Sequence, residues 1–334
     1  MAADRRVAVV TGGSAGVGRA TVVAFAEAGF DVAVLARGQA GIEAAAKEVE
    51  SAGGRGLAVA VDVADYGQVA EAAGRVESEL GPIDVWVNNA MTTIFAPIWE
   101  IEPHEFRRAV DVTFLGQVWG TKVALEHMLR RDRGSIVNVG SALAFTAIPL
   151  QSAYCASKFA SRGFFDSVRA ELIHRGSHVR LSMVHLPGVN TTQFDWCKSV
   201  FSKHPQPVPP IYQPEVPAKY IVEVALDGRR SKVVGAWNKV VVAAGKLVPG
   251  IGNQYAAIGA WESQLSERDA APGRPANLWD PVDAGADHGS HGIFDDEAGG
   301  STDPHFLGSM PQNLKNLARS LVNRAREQAD RLMR

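Results

Sequence analysis

Short apolar runs rich in valine alternate with longer alanine-rich segments over the first two-thirds of the chain. The runs cover residues 7–11, 31–36, 57–61, 83–87, 135–139 and 179–185. Nearly continuous hydrophobicity is typical of parallel strands that are buried on both faces. The segments between them predict helices near residues 17–28, 40–52, 66–80, 104–130 and 152–175. Because helical crossovers join parallel strands, the alternation predicts an α/β fold with a doubly wound parallel sheet, in one domain over residues 4–240.

The pattern changes in the remaining residues, 241–334, which we interpret as a C-terminal extension. Residues 262–306 are acidic and rich in Gly and Pro, so we expect an irregular segment, held to the main body by residues 278–279, Phe294 and Phe306. Residues 311–333 predict a basic amphipathic helix with leucines near one face. We expect this helix to pack within the protein or on a partner subunit, and an anionic membrane surface is the less favoured alternative.

Composition and charge narrow the class of protein. With 46% apolar residues, the chain has the composition of an ordinary globular protein. Its formal net charge of −2 gives no electrostatic reason to expect nucleic-acid binding. Two cysteines cannot form a disulfide framework, and no apolar run suggests a signal peptide or a spanning helix. These features predict a cytoplasmic protein. His288 and His291 lie in the Gly-rich acidic segment, where we expect a solvated loop and no metal.

A glycine-rich stretch lies between the first predicted strand and the first predicted helix. Its spacing is G-x-x-x-G-x-G, and the residues that we expect at a ligand are Gly12, Ser14, Ala15, Gly16, Val17 and Gly18. Glycine lets the backbone approach a pyrophosphate closely, and the helix N-terminus offers free N–H groups and a positive dipole end. A Gly-rich turn without a ligand is the alternative. The position between strand and helix nevertheless predicts phosphate binding.

Further candidate ligand-binding residues follow the second, third and fourth predicted strands. Arg37 stands where an Asp or Glu would bind the ribose hydroxyls of NAD, and a guanidinium there can pair with the 2′-phosphate of NADP. A solvated arginine is the alternative. Asp62 and Val63 are predicted at the adenine, and Asn89 and Ala90 at the adenosine ribose, because ligands of open α/β sheets bind at strand carboxyl ends. NADP(H) is therefore predicted as the cofactor, in preference to NAD(H).

Three residues form a candidate catalytic constellation. Ser141 follows the fifth predicted strand, and Tyr154 and Lys158 share one face of the next helix. Tyrosine, with an ordinary pKa of about 10, is a poor base at neutral pH, but a nearby ammonium group lowers that pKa. Tyr154 could then exchange a proton with an alcohol or carbonyl oxygen that Ser141 polarises. A surface pair on a helix is the alternative for Tyr154 and Lys158 alone.

The ordered set of motifs resembles that of the short-chain dehydrogenases/reductases over about residues 5–235. The resemblance implies a Rossmann-like sheet of about seven strands, a nicotinamide cofactor and a Ser-Tyr-Lys site, often completed by an Asn. It also implies assembly as a homodimer or homotetramer. The residues that it places over the nicotinamide end of the cofactor are Pro187, Gly188, Val189 and Thr191.

The chain departs from the family pattern at two positions. Met91 stands where the family has Gly after Asn-Asn-Ala, and alignment on Gly116 places Thr113 where the family has its catalytic Asn. That Asn holds a water that links the lysine to solvent. Thr113 is therefore the fourth candidate catalytic residue, and its hydroxyl is expected to bind such a water less well.

The function predicted from these features is an NADP(H)-dependent oxidoreductase that interconverts an alcohol and a ketone or aldehyde. The apolar segments 91–99, 143–150 and 194–196 favour a bulky apolar substrate, although such loops could instead pack against the extension. One alternative is a non-catalytic NADP(H)-binding scaffold, which the change at Thr113 motivates. Another is a peripheral membrane enzyme that acts on a lipid or sterol.

Overall fold

The central element of the fold is a sheet of seven parallel strands. The computed structural model describes residues 5–247 and 260–299. The strands are β1 (Val7–Thr11), β2 (Asp31–Ala36), β3 (Gly56–Ala60), β4 (Ile83–Asn88), β5 (Ser135–Ser141), β6 (Arg180–Leu186) and β7 (Ser231–Val233). Their order in the sheet is β7-β6-β5-β4-β1-β2-β3. The chain therefore changes direction across the sheet between β1 and β4, where open α/β sheets bind ligands.

Helices cover both faces of this sheet. They are α1 (Gly16–Glu27), α2 (Gln39–Ser51), α3 (Tyr66–Glu79), α4 (Pro103–Val110), α5 (Gly116–Met128), α6 (Ser152–Arg175), α7 (Glu215–Asp227) and α8 (Ala236–Leu247). Residues of α1, α2 and α7 form one buried cluster with the sheet, and residues of α3, α5 and α6 form another. Alternate residues of β1 enter the two clusters, which explains the continuous hydrophobicity of its sequence. The predicted doubly wound α/β fold is confirmed.

The segment predicted as one helix over 104–130 is interrupted. A π-helical turn, Asp111–Leu115, separates α4 from α5. Such a turn inserts one residue into a helix and is frequent at functional sites. Here Thr113 within the turn is fully buried. Hydrophobic periodicity does not reveal a single inserted residue, so the sequence predicted continuity.

The described part of the extension is mostly irregular and contains two short strands. Leu265–Asp269 pairs with Lys203–Pro205, and Ala298–Gly299 pairs with Ile211–Tyr212. Two of the predicted anchors are buried, with Leu278 1% and Phe294 2% exposed. Trp279 is half exposed and stacks on His104 at 5.8 Å between ring centroids. Phe306 and the helix predicted over 311–333 lie outside the described residues.

Within the described ranges, no helix has both the length and the apolar character needed to cross a bilayer.

Candidate functional site

A large cavity follows the carboxyl ends of the strands. Its volume is about 730 Å³, and it reaches from Arg37 and Asp62 at one end to Tyr154 and Lys158 at the other. Every residue that the sequence predicted at the cofactor or the catalytic centre lines this cavity, except Thr113. The topology therefore brings together motifs that are spread over most of the chain.

The glycine-rich turn lines the cavity. Gly12 and Gly16 have φ angles of +63° and +55°, which side-chain-bearing residues rarely adopt. A Cβ atom on Gly18 would lie 1.9 Å from the carbonyl oxygen of Gly12. Helix α1 begins after Ala15 without a side-chain cap, and the residues of its first turn line the cavity. This cradle fits the pyrophosphate of a dinucleotide.

Two asparagines at the end of β4 have different partners. The side-chain nitrogen of Asn89 donates to the carbonyl oxygens of Thr11 and Gly12, each at 3.1 Å, and so fixes the glycine-rich turn to β4. Asn88 is buried and donates to Asn138 at 2.8 Å. Asn89 therefore shapes the cavity, whereas Asn88 links neighbouring strands.

The end of the cavity near Arg37 contains contacts that the sequence did not predict. The Arg37 guanidinium donates to the backbone carbonyls of Asn277 and Trp279 in the extension. Burial, and then the nearby Arg108, lower the pKa of Arg37. Arg108 in turn binds Asp62 at 2.6 Å. The extension thus forms part of this end of the site.

The candidate catalytic residues meet at the opposite end. Tyr154 and Lys158 lie one turn apart on α6, and the Lys158 Nζ atom is 5.4 Å from the centre of the Tyr154 ring. The Ser141 side chain forms a hydrogen bond with Tyr154. Lys158 is 2% exposed and donates to the carbonyl oxygen of Val139 at 2.8 Å. The predicted cluster of serine, tyrosine and lysine therefore forms in three dimensions.

Burial controls the protonation of this cluster. It raises the pKa of Tyr154 to about 12, and the hydrogen bond with Ser141 opposes that increase. Burial also lowers the pKa of Lys158 to about 7. The ammonium form of Lys158, or a cationic ligand beside Tyr154, would stabilise the phenolate and oppose the effect of burial.

Thr113 has a different environment from the one expected for a water-binding catalytic residue. Its hydroxyl donates to the carbonyl oxygen of Thr92 at 2.8 Å and accepts from the Thr92 N–H at 3.0 Å. A threonine hydroxyl has a single proton, and Thr113 donates it to the Thr92 carbonyl. Thr113 thus connects the π-helical turn to the segment after β4, and it does not line the cavity.

Gln117 is a residue near the site that sequence reasoning missed. It is buried on α5, and its side-chain nitrogen donates at 2.9 Å to the Val139 carbonyl that also accepts from Lys158. Its Oε1 atom is buried and has no hydrogen-bond partner among the described residues. The only sequence signal was its position one helical turn after Thr113. An unpaired buried oxygen is costly, so a water is expected to bind there.

The buried Lys158 predicts a pH dependence of stability. Between its folded pKa of about 7 and its ordinary value of 10.5, the unfolded chain binds a proton that the folded protein lacks. The free energy of unfolding should therefore rise with pH in this window, by up to about 1.4 kcal/mol per pH unit from this group. Urea unfolding of the wild type and of Lys158→Met at several pH values should show a smaller slope in the variant.

The exposed Lys47 on α2 provides the control for this measurement. Lys47→Met should keep the wild-type pH slope. Equal slopes for the wild type and Lys158→Met would contradict the assignment of a lowered pKa to Lys158.

The two histidines of the acidic segment lie apart from the cavity centre. His291 contacts Glu215 at 2.9 Å and Asp295 at 2.8 Å, and the ring of His288 packs on Trp196. Within residues 5–247 and 260–299, no group of three or more His, Cys, Asp or Glu side chains could hold a metal ion.

Comparison with known proteins agrees with this geometry. The short chain dehydrogenase family matches residues 6–198. The uncharacterized oxidoreductase YxnA of Bacillus subtilis is 30% identical over 277 residues, which are 82% of this chain and 78% of that protein. A 3-dehydrosphinganine reductase of Danio rerio is 30% identical over 235 residues, which are 68% of this chain and 70% of that protein.

A solved structure is also similar. It is a metagenomic short-chain oxidoreductase in complex with NADP, with a TM-score of 0.57 and 28% identity, covering 69% of this chain and 95% of that one. The family match and the relatives confirm the resemblance inferred from the motifs. The chain is an oxidoreductase that belongs to the short-chain dehydrogenase/reductase family.

Proposed function

We propose that the protein interconverts an alcohol and a ketone or aldehyde with a nicotinamide cofactor, and that Tyr154 exchanges the proton at the reacting oxygen. The observation that carries this proposal is the hydrogen-bonded pair of Ser141 and Tyr154 beside buried Lys158, in a cavity that continues to the glycine-rich turn. A bound nicotinamide would supply or accept the hydride.

The residues of the chain have separate tasks in this reaction. The Tyr154 hydroxyl donates its proton to a carbonyl oxygen during reduction, or takes one from an alcohol during oxidation. The Ser141 hydroxyl holds the same oxygen through a hydrogen bond. The Lys158 ammonium lowers the pKa of Tyr154 toward the working range. None of these tasks needs the Thr113 side chain.

Gln117 and Val139 position Lys158 in this proposal. The side-chain nitrogens of Gln117 and Lys158 both donate to the Val139 carbonyl, which fixes the position of the ammonium group. A water bound to the free Gln117 Oε1 would lie next to this group and could return protons to it. The path would replace the one that the family builds around its Asn.

Arg37 by itself favours NADP(H), as the sequence predicted, whereas the neighbouring Asp283 favours NAD(H). Its guanidinium has five N–H donors, so its contacts with two carbonyls leave some for a 2′-phosphate. The similar structure described in complex with NADP is consistent with this preference. Asp283 opposes it, because this carboxylate lines the same end of the cavity.

The substrate proposed for this site is bulky and apolar. Each of the three predicted apolar segments contributes to the cavity near Tyr154, through Phe95, Leu143, Ile148, Phe194 and Trp196. The lining is mainly apolar, although Gln151, Gln206 and Asn238 also contribute to it, and this mixture is typical of pockets for large ligands. The relative named as a 3-dehydrosphinganine reductase supports this substrate class.

A substrate panel tests the proposed function. With reduced cofactor, the value of kcat/KM should be at least about tenfold higher for aromatic or polycyclic ketones than for small polar carbonyl compounds, because buried apolar area contributes to binding of the transition state. Cofactor oxidation measured across the panel gives the ratio. Faster reaction of the small polar compounds would contradict the bulky-substrate proposal, and no reaction with any carbonyl would contradict the oxidoreductase mechanism.

A further inference from the structure

Residues 277–295 of the extension, here called the cover segment, run along the outside of the cavity. The segment begins at Arg37, which donates to the carbonyls of Asn277 and Trp279. It crosses the start of α2, where the Gly41 N–H donates to the Asp283 carbonyl at 3.2 Å. It then reaches the glycine-rich turn, where the Gly16 N–H donates to the Gly289 carbonyl at 3.2 Å. The cover segment therefore follows the path on which a dinucleotide would lie.

Arg19 holds the middle of the cover segment in place. This side chain is 2% exposed and pairs with Glu48 at 2.7 Å and with Asp287 at 3.2 Å. Its guanidinium also donates to the Gly41 carbonyl at 2.9 Å. The cover segment is thus attached to α1 and α2 by a buried cation, and Asp283 lies just before this attachment.

Asp283 reaches from the cover segment into the cavity. It is 3% exposed and lies against the first turn of α2, where a Cβ atom on Gly38 would be 1.8 Å from its Oδ1 and one on Gly41 would be 2.4 Å from its Oδ2. Glycine at both positions leaves the space that the carboxylate occupies. Its Oδ2 has no hydrogen-bond partner among the described residues, although Asp283 lines the cavity.

The environment of Asp283 indicates which chemical group of a ligand it would bind. A buried carboxylate oxygen without a donor is unfavourable, so a ligand that supplies a hydroxyl donor would be bound there. Helix α2 begins after Gly38 with no side-chain cap, and the positive end of its dipole lies beside the carboxylate. A phosphate at the same place would instead be repelled by it. Arg37 offsets this repulsion only in part, because its guanidinium already donates to two carbonyl groups of the cover segment.

We propose that Asp283 accepts a hydrogen bond from the adenosine ribose of the cofactor and excludes a 2′-phosphate, so that the protein binds NAD(H) more tightly than NADP(H). Dinucleotide folds usually take such an acid from the end of the second strand. Here Ala36 and Arg37 stand at that position, and the extension supplies the carboxylate instead. This inference rests on the proposed function in one respect, namely that the cavity binds a nicotinamide dinucleotide.

Direct titration of the full chain with NADH and with NADPH tests the proposal. The wild type should bind NADH at least about tenfold more tightly than NADPH, because one good charged hydrogen bond is typically that strong. Asp283→Asn keeps the shape of the side chain and removes its charge. It should weaken NADH binding, strengthen NADPH binding and so lower the ratio of the two affinities about tenfold or more.

The exposed Asp296 lies on the same extension and does not line the cavity, so Asp296→Asn is the matched control. It should keep the wild-type ratio. Tighter binding of NADPH by the wild type, or an unchanged ratio in Asp283→Asn, would overturn the proposal, and the wild-type ratio decides even if the variant does not fold. Because titration needs no turnover, selective NADH binding by a protein that reduces no carbonyl would overturn the proposed function alone.

Discussion

Tyr154→Phe should lower the turnover of a reactive aromatic diketone by about a thousandfold while the protein still binds its cofactor. The change removes the hydroxyl that we propose to exchange a proton with the substrate oxygen, and it leaves the ring in the cavity. Positioned general acids contribute about 10²- to 10⁴-fold to a rate, and here the same hydroxyl also orients the oxygen through its bond with Ser141. Steady-state cofactor oxidation, together with titration of the cofactor, separates the loss of chemistry from a loss of binding.

Tyr66 provides the matched control for this substitution. Its hydroxyl contacts Glu126 at 3.2 Å on the outside of the protein, and it does not line the cavity. Tyr66→Phe should therefore turn over diketone at the wild-type rate. Comparable turnover by Tyr154→Phe and Tyr66→Phe would remove Tyr154 from the mechanism.

Gly18→Ala should lower the affinity for the cofactor about a hundredfold. The new methyl group would lie 1.9 Å from the Gly12 carbonyl oxygen and 2.5 Å from the Asn89 side-chain nitrogen, so the glycine-rich turn has to move. A displacement of about 1 Å in a positioned group can reduce function a hundredfold. Titration of the purified variant with reduced cofactor measures the effect, and its thermal unfolding shows whether the fold is kept.

Gly74 on α3 is the control for adding a methyl group. A Cβ atom there would meet nothing within 4 Å, and alanine is the better helix former. Gly74→Ala should bind the cofactor normally and gain about 1 kcal/mol in unfolding free energy. If folded Gly18→Ala bound the cofactor as tightly as Gly74→Ala, the glycine-rich turn would not be the pyrophosphate cradle.

Most of the fold could be predicted because its signals are local. Each strand from β1 to β6 is a run of apolar residues, and the predicted ends agree with the structure to within two residues. Strand β7, Ser231–Val233, has only three residues at the edge of the sheet, which is too short for a pattern. The family resemblance implied its existence, and the structure confirms it.

The candidate site could be predicted where its residues are fixed by motifs, and not where they depend on tertiary contacts. The glycine-rich turn, Ser141, Tyr154 and Lys158 all line one cavity, as expected. Gln117 gave no signal, because its relation to Lys158 exists only through the carbonyl of Val139 on another strand.

The contacts of the extension were even less predictable from the sequence. Its composition predicted an irregular acidic segment, and acidic residues in such segments are usually solvated. Asp283 is instead buried against Gly38 and Gly41, far away in the sequence. No periodicity or spacing connects these positions, so the contact between the cover segment and the cofactor cavity required the three-dimensional structure.

The most direct test of the central claim is hydride transfer itself. Reduced cofactor that carries deuterium at the transferring carbon is incubated with the diketone and the full chain, and the product alcohol is analysed by mass spectrometry. We predict that the wild type places one deuterium on the product carbon and that Tyr154→Phe forms almost no product. An alcohol without deuterium, or no alcohol from a wild-type protein that binds the cofactor, would contradict the assignment of an active oxidoreductase centre to Ser141, Tyr154 and Lys158.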